Sequence, residues 1–255
     1  MTNNTFKTAV TILIALLSVL STVFSTTSVA VPIWKVTNGE NTLYLAGTIH
    51  VLSKQDHPLP KEFDWVFNQA DKIVLETDLT ALQTPEMQQA MAKAITYTPP
   101  QTLLNHISKD TQAALQTFCD ARGIPFTQLL SYKPGMIISI LTMGELQRLG
   151  IDGQGVDEIY EQKALTHGKY LDQLETPLMQ LQYLANLGTD NADALIQYAL
   201  EDTDKLKDYF QDMVNAWRSG NMKKLEQAAQ VADLIQTFPE IYDEILVQRN
   251  QNWLP

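Results

Sequence analysis

The chain is 255 residues long, 45% hydrophobic and 18% charged, with a formal net charge of −11. That balance excludes a disordered, collagen-like or wholly coiled-coil chain and leaves ample apolar material for a core. The acidity argues against nucleic acid or anionic lipid as the main partner, and a lone cysteine, Cys119, excludes both a disulfide framework and a Cys-rich zinc site.

Thr8 to Trp34 carries no charged side chain, and Lys7 lies just before it. Ala9 to Leu20 has the length of a signal-peptide apolar region, and Ser28-Val29-Ala30 has the small residues of a cleavage site. Residues 1–30 are therefore expected to be an export signal, removed after Ala30, which places the protein in the periplasm or outside the cell. The rival reading is an uncleaved N-terminal anchor, the one way a membrane would enter.

Two strands open the remainder. Ile33 to Thr37 alternates apolar and polar, Asn38-Gly39 is a turn signal, and Thr42 to Ala46 follows. Phe63, Val66, Phe67 and Ala70 then fall on one helix face behind Pro60, and Lys72 to Glu76 is a short apolar strand. This order predicts a βαβ unit. Helices are expected over Met87–Ile95, Thr111–Arg122 with a stop at Gly123, Met136–Leu146 as a buried helix, and Val156–Thr166. A strand is expected at Tyr170–Leu174, and helix from Leu178 onward. The fold class is α/β, with α+β as the neighbouring option: a small mixed sheet with an N-terminal βαβ unit and a large helical portion. Residues 31–255 are expected to form a single domain without internal repeats.

The chemistry-bearing residues sit at strand ends. Gly47-Thr48-Ile49-His50 follows the second strand, where ligands collect in open α/β sheets. An imidazole there is either a metal ligand or acid–base group, or a packing residue. Glu76 ends the Ile73-Val74-Leu75 strand and must be solvated, paired or coordinated. If the two strands are parallel neighbours, His50 and Glu76 emerge at one edge as half of a His–carboxylate metal site. Leu174-Glu175-Thr176 echoes Leu75-Glu76-Thr77. Glu175 is a second carboxylate at that rim or, the favoured reading, an acid facing the dipole of the helix begun by Pro177. Asp157 is most simply a helix-start acid. Arg249 either clamps a carboxylate or polarises a carbonyl, or stays solvated near the C-terminus. His57, His106 and His167 read as surface residues, and Cys119 as core.

In order, these pieces resemble the TraB/GumN family, which includes the animal TIKI proteins, and look most like its exported bacterial GumN branch. The carrying residues are Ile33-Trp34-Lys35-Val36, Leu43 to Val51, Pro58-Leu59-Pro60, Ile73 to Asp78, Gly155-Val156-Asp157, Leu174-Glu175-Thr176 with Gln180, and Arg249-Asn250 with Trp253. The resemblance implies a metal-dependent hydrolase of metallopeptidase type, with a divalent ion such as manganese, cobalt or zinc and a peptide or small-molecule substrate. It implies two GxxH motifs, a glutamate and an arginine: here Gly47 to His50, Glu76 as metal ligand or base, and Arg249 as oxyanion stabiliser. The family's second GxxH falls after the segment resembling Arg249 to Trp253, and no other glycine here has a histidine three positions on. Relative to the family, the chain is expected to be C-terminally incomplete. The alternative function is a non-catalytic binding or accessory protein of the envelope with a degenerate site.

Overall fold

A computed structural model describes residues 31–78, 80–81, 84–201 and 203–254. The expected export segment, residues 1–30, lies outside the described residues. Among those described, no helix is long and apolar enough to cross a membrane.

The hairpin forms as its alternation predicts. β1 (Ile33–Asn38) and β2 (Asn41–Ala46) pair antiparallel, closing at Asn38 opposite Asn41, with Gly39 at φ +62° in the turn. β3 (Val51–Leu52) follows, then α1 (Lys61–Gln69), which buries Phe63 and Phe67, and β4 (Lys72–Leu75). Next come α2 (Pro85–Ile95), α3 (Lys109–Arg122), α4 (Phe126–Leu129) and α5 (Pro134–Arg148). α3 ends on Gly123 at φ +67°, the left-handed stop its sequence predicts. α5 is buried along Ile137, Ile138, Leu141 and Leu146, as its nearly all-round apolarity requires.

β5 (Gly153–Gln154), α6 (Val156–His167), β6 (Tyr170–Gln173) and α7 (Pro177–Asn186) form the second half of the site scaffold. The rest is helical: α8 (Ala192–Glu201), α9 (Leu206–Arg218), α10 (Met222–Ala228), α11 (Val231–Thr237) and α12 (Pro239–Tyr242). A π-helical turn over Asp243–Gln248 then runs into α13 (Arg249–Trp253). Small sheets with a large helical portion make this a mixed α/β protein.

The sheets are three two-stranded pieces: β1–β2 antiparallel, β3–β5 antiparallel and β4–β6 parallel. The strand–helix–strand order is present, but β4 takes β6 rather than β2 as its hydrogen-bonded neighbour. β2 has its partner in the hairpin, whereas β6 offers β4 a matching apolar residue, Leu171 opposite Ile73, and an ion pair, Lys72 to Asp172 at 2.5 Å. Three buried clusters support the frame. The first joins Phe63, Phe67, Tyr160, Phe210 and Trp217; the second joins α3, α5 and α8; the third lines Leu234, Phe238, Ile241 and Ile245. Cys119 lies fully buried in the second with Leu115.

The echo between the two Leu-Glu-Thr segments is structural as well. β4 and β6 lie side by side, and the backbone N–H of Glu175 donates to the Glu76 carbonyl at 2.9 Å. The helices that follow open alike, on Thr84-Pro85-Glu86-Met87-Gln88 and Thr176-Pro177-Leu178-Met179-Gln180. In each, the threonine hydroxyl accepts from the methionine N–H at 3.2 Å.

Candidate functional site

His50 and Glu76 do meet. His50 Nε2 lies 3.9 Å from Glu76 Oε2, although their strands are not bonded neighbours. What brings His50 to this edge is a set of contacts to the turn that precedes it. Trp217, fully buried, donates from Nε1 to the Gly47 carbonyl at 2.8 Å, and the Val156 N–H donates to the Ile49 carbonyl at 2.9 Å. Gly155 lies directly under His50: a Cβ there would come within 2.6 Å of the His50 Cα and closer still to its carbonyl group. Only a bare backbone allows this approach.

That approach puts Asp157, in the first turn of α6, against the imidazole. Its Oδ2 is 2.8 Å from His50 Nδ1, and its Oδ1 accepts from the Thr48 hydroxyl at 3.1 Å. Asp157 is thus a helix-start acid, as expected, and also the partner that orients His50. Facing a carboxylate acceptor, Nδ1 carries a proton, and Nε2 is turned to Glu76. Burial works against a charged imidazole, but the Asp157 hydrogen bond and the charges of Asp157 and Glu76 outweigh it and push the His50 pKa up to about 9. The same pairing, against the effect of burial, holds Asp157 below the usual carboxylate range.

Behind this front lies a buried ion network. Arg249, 2% exposed at its side chain, donates from Nε to both oxygens of Glu175 at 2.8 and 2.9 Å. Its Nη2 donates to Glu175 Oε1 and, at 2.8 Å, to Glu76 Oε2. Trp253 covers the guanidinium, its ring centre 4.7 Å away, and donates from Nε1 to Glu175 at 3.3 Å. Gln180 approaches Glu76 Oε2 at 3.4 Å. Glu175, 1% exposed, is therefore not the dipole-facing acid that sequence favoured. Its side chain is committed to Arg249, and Thr176 caps α7 instead. Arg249 clamps two carboxylates rather than standing in solvent. Burial pushes the Glu76 carboxyl up despite the opposing charges of His50 and Arg249.

Sequence reasoning missed Trp217, named Gly155 only among the residues that carry the resemblance, and named Thr48 only as part of GxxH. The other histidines stay apart: His106 stacks on Tyr97 at 4.3 Å, His167 bonds to the Lys163 carbonyl, and His57 is half-buried in a loop. A divalent ion would have to displace the Nε2 proton that a pKa of about 9 keeps on His50 at neutral pH; the ring it then met is oriented by a carboxylate, as metal-bound histidines are. It would find a carboxylate at Glu76. Among the described residues no group of three His, Cys, Asp or Glu side chains is disposed to hold a metal. The donor set fits an ion with two protein ligands, short of the three a catalytic centre usually keeps.

A mostly helical α/β protein with small sheets, carrying a carboxylate–histidine pair backed by a buried Arg–Glu–Glu network, is the class these features define. The chain belongs to the TraB/PrgY/gumN family, whose model matches residues 32–255. It is similar to the uncharacterized protein YbaP of Escherichia coli K12, 26% identical over 218 residues, covering 84% of this chain and 77% of that protein. The uncharacterized protein YbaP of Shigella flexneri matches with the same identity and coverage. No solved structure matches the chain.

Proposed function

We propose that the protein is an exported, metal-dependent hydrolase of peptidase type, acting on an amide or ester at the rim formed by Thr48, His50, Glu76 and Asp157. The observation that carries this reading is the convergence of Glu76, Asp157, Glu175, Arg249 and His50 from distant parts of the chain. Desolvating so many ionisable groups costs more than an apolar core in the same place, and such clusters mark functional sites more often than structural ones.

His50 and Glu76 would hold the ion, which when bound supplies an activated water. Asp157 keeps the His50 ring in one orientation and its proton on Nδ1, and Thr48 fixes Asp157 in turn. Glu76, its carboxyl pushed up by burial, takes the proton that an attacking water must lose. Arg249 sits too deep to reach substrate first; it holds Glu76 in place and balances its charge, so it is a positioning residue rather than the oxyanion stabiliser that the resemblance implied.

The test is divalent-metal content, with a screen of amide and ester substrates, for wild type and His50→Ala. Stoichiometric metal and hydrolysis in the wild type, both lost in the variant, are expected. Unchanged metal content in His50→Ala would refute the reading. One observation favours the alternative, a non-catalytic binding protein of the envelope: Glu76 Oε2 is already bonded to Arg249. A wild-type protein that holds no metal and cleaves nothing supports that second reading.

A further inference from the structure

The helix that delivers Arg249 is not regular. α12, the π turn and α13 run on without a break, with helical backbone angles at Tyr242, Asp243, Gln248 and Arg249. Along it, every fourth residue faces inward: Ile241 and Ile245 are buried in the third apolar cluster, Arg249 is buried on the two glutamates, and Trp253 covers the guanidinium. In a regular α-helix, positions four apart drift by about 40° per step, so this row would wind about 120° around the helix between Ile241 and Trp253. A π turn, bonded i to i+5, absorbs one surplus residue and removes that drift. The Gln248 side chain donates to Asp243 Oδ2 at 2.5 Å, a link across five positions that matches the wide turn.

The wide turn is intrinsically poorer than α-helix and occurs where something else holds it. Here the holding contacts are those of Arg249 and Trp253 with Glu175 and Glu76. If they let go, the same residues can close into a regular α-helix, keeping all their backbone hydrogen bonds but rotating Arg249 by roughly one residue's turn, about 100°. Both arrangements leave Ile241 and the helix start where they are.

We propose that Asp243–Gln248 is a two-register latch: the π register seats Arg249 on Glu175 and Glu76, and the α register withdraws Arg249 and uncovers Glu76. Its functional consequence rests on Glu76 being the reactive carboxylate. Glu76 Oε2 is bonded to an internal cation in the first register and free for a ligand in the second.

The test reads the latch itself, in the full chain, so that failure of the hydrolase reading does not touch it. In the ¹⁵N-labelled protein the Arg249 Nε–H, bonded to both Glu175 oxygens, should give a slowly exchanging resonance, assigned by its absence in Arg249→Lys. Glu175→Gln should abolish that resonance and convert residues 243–248 to the (i, i+4) nuclear Overhauser contacts of α-helix, while their backbone amides keep protection within about tenfold of wild type; a wide-turn pattern that persists would mean that the register does not change. Deleting Asp243 removes the surplus residue, so α-helix alone should seat Arg249. The resonance should then survive, with residues 243–248 giving the (i, i+4) nuclear Overhauser contacts of α-helix in place of the wide-turn pattern. Free exchange of amides 243–248 in Glu175→Gln would mean that the terminus merely frays, and an unmoved Arg249 resonance would mean that no second register exists. Any of these results overturns the proposal. If the deletion variant does not fold, the Glu175→Gln comparison decides alone.

Discussion

Replacing Gly155 by alanine tests how His50 is held. Gly155 has φ −81° and ψ 177°, angles any residue adopts, so the substitution introduces no backbone strain and acts only through the added methyl. That methyl would press on the His50 Cα and carbonyl, all backbone atoms that cannot rotate away. Relief requires the start of α6 to retreat from His50 by roughly 1 Å, since close-packed interiors offer no slack. Asp157, two residues on, retreats with it, and a 2.8 Å bond to Nδ1 stretched by that much is lost. Overpacking costs about 1–3 kcal/mol and a lost hydrogen bond to a charged group about 1.5–3 kcal/mol; partial relaxation makes about 3 kcal/mol a fair total. For a chain of this size, that lowers Tm by about 10 °C. Thermal melting followed by circular dichroism gives the first readout, and the His50 ¹⁵N imidazole resonances give the second. A Tm within about 1 °C of wild type, with Nδ1 still protonated and bonded, would refute the account of Gly155 as the residue that lets α6 reach His50.

Arg249→Met leaves Glu175 and Glu76 facing each other with no cation, and breaking such a buried pair should destabilise the fold by about 3–5 kcal/mol at neutral pH, read by urea unfolding. Glu145 lies in the buried face of α5 between Arg122 and Arg148. Burial opposes its charge, but the two guanidinium groups outweigh this and hold its carboxyl below the ordinary range. A depressed folded pKa stabilises above the unfolded value, near 4.5, and that stabilisation is lost as pH falls through the folded one. Glu145→Gln should therefore melt below wild type at pH 7, and the gap should close as the pH is taken down through the folded-state pKa, below the unfolded value.

The helices were legible because their signals are local. Gly123 stops α3 where sequence places the stop, and α2, α6 and α7 start within a turn of their expected residues Met87, Val156 and Leu178. His50 and Glu76 were legible because a polar group at the end of an apolar strand has few places to go. The partners were not. Asp157 and Glu175 both stand at helix beginnings, where an acid already has a sufficient local explanation, and nothing within a few residues of either signals a histidine or an arginine far away in the chain. The pairing of β4 with β6 rather than β2 was hidden for the same reason, since choice of strand partner depends on contacts that no local pattern records. The π turn could have been seen: Ile241, Ile245, Arg249 and Trp253 repeat at four, not at 3.6.

The network also explains why one arginine needs two glutamates. Were Arg249 to face Glu76 alone, its charge would pull that carboxyl well down and leave a poor proton acceptor. Instead Nε spends its proton on Glu175, Nη2 is shared between the two acids, and Trp253 adds a donor to Glu175 only. Glu175 takes the larger part of the guanidinium, and burial then dominates at Glu76, whose carboxyl ends above its ordinary value even with Arg249 at 2.8 Å. The two echoing Leu-Glu-Thr segments have thus diverged in task. One glutamate anchors the cation and is closed to solvent; the other is steadied by the same cation and still faces His50, which is about a third exposed. A single carboxylate could not both hold Arg249 in the interior and remain basic at the rim, and it is the pairing of β4 with β6 that puts the second one within reach.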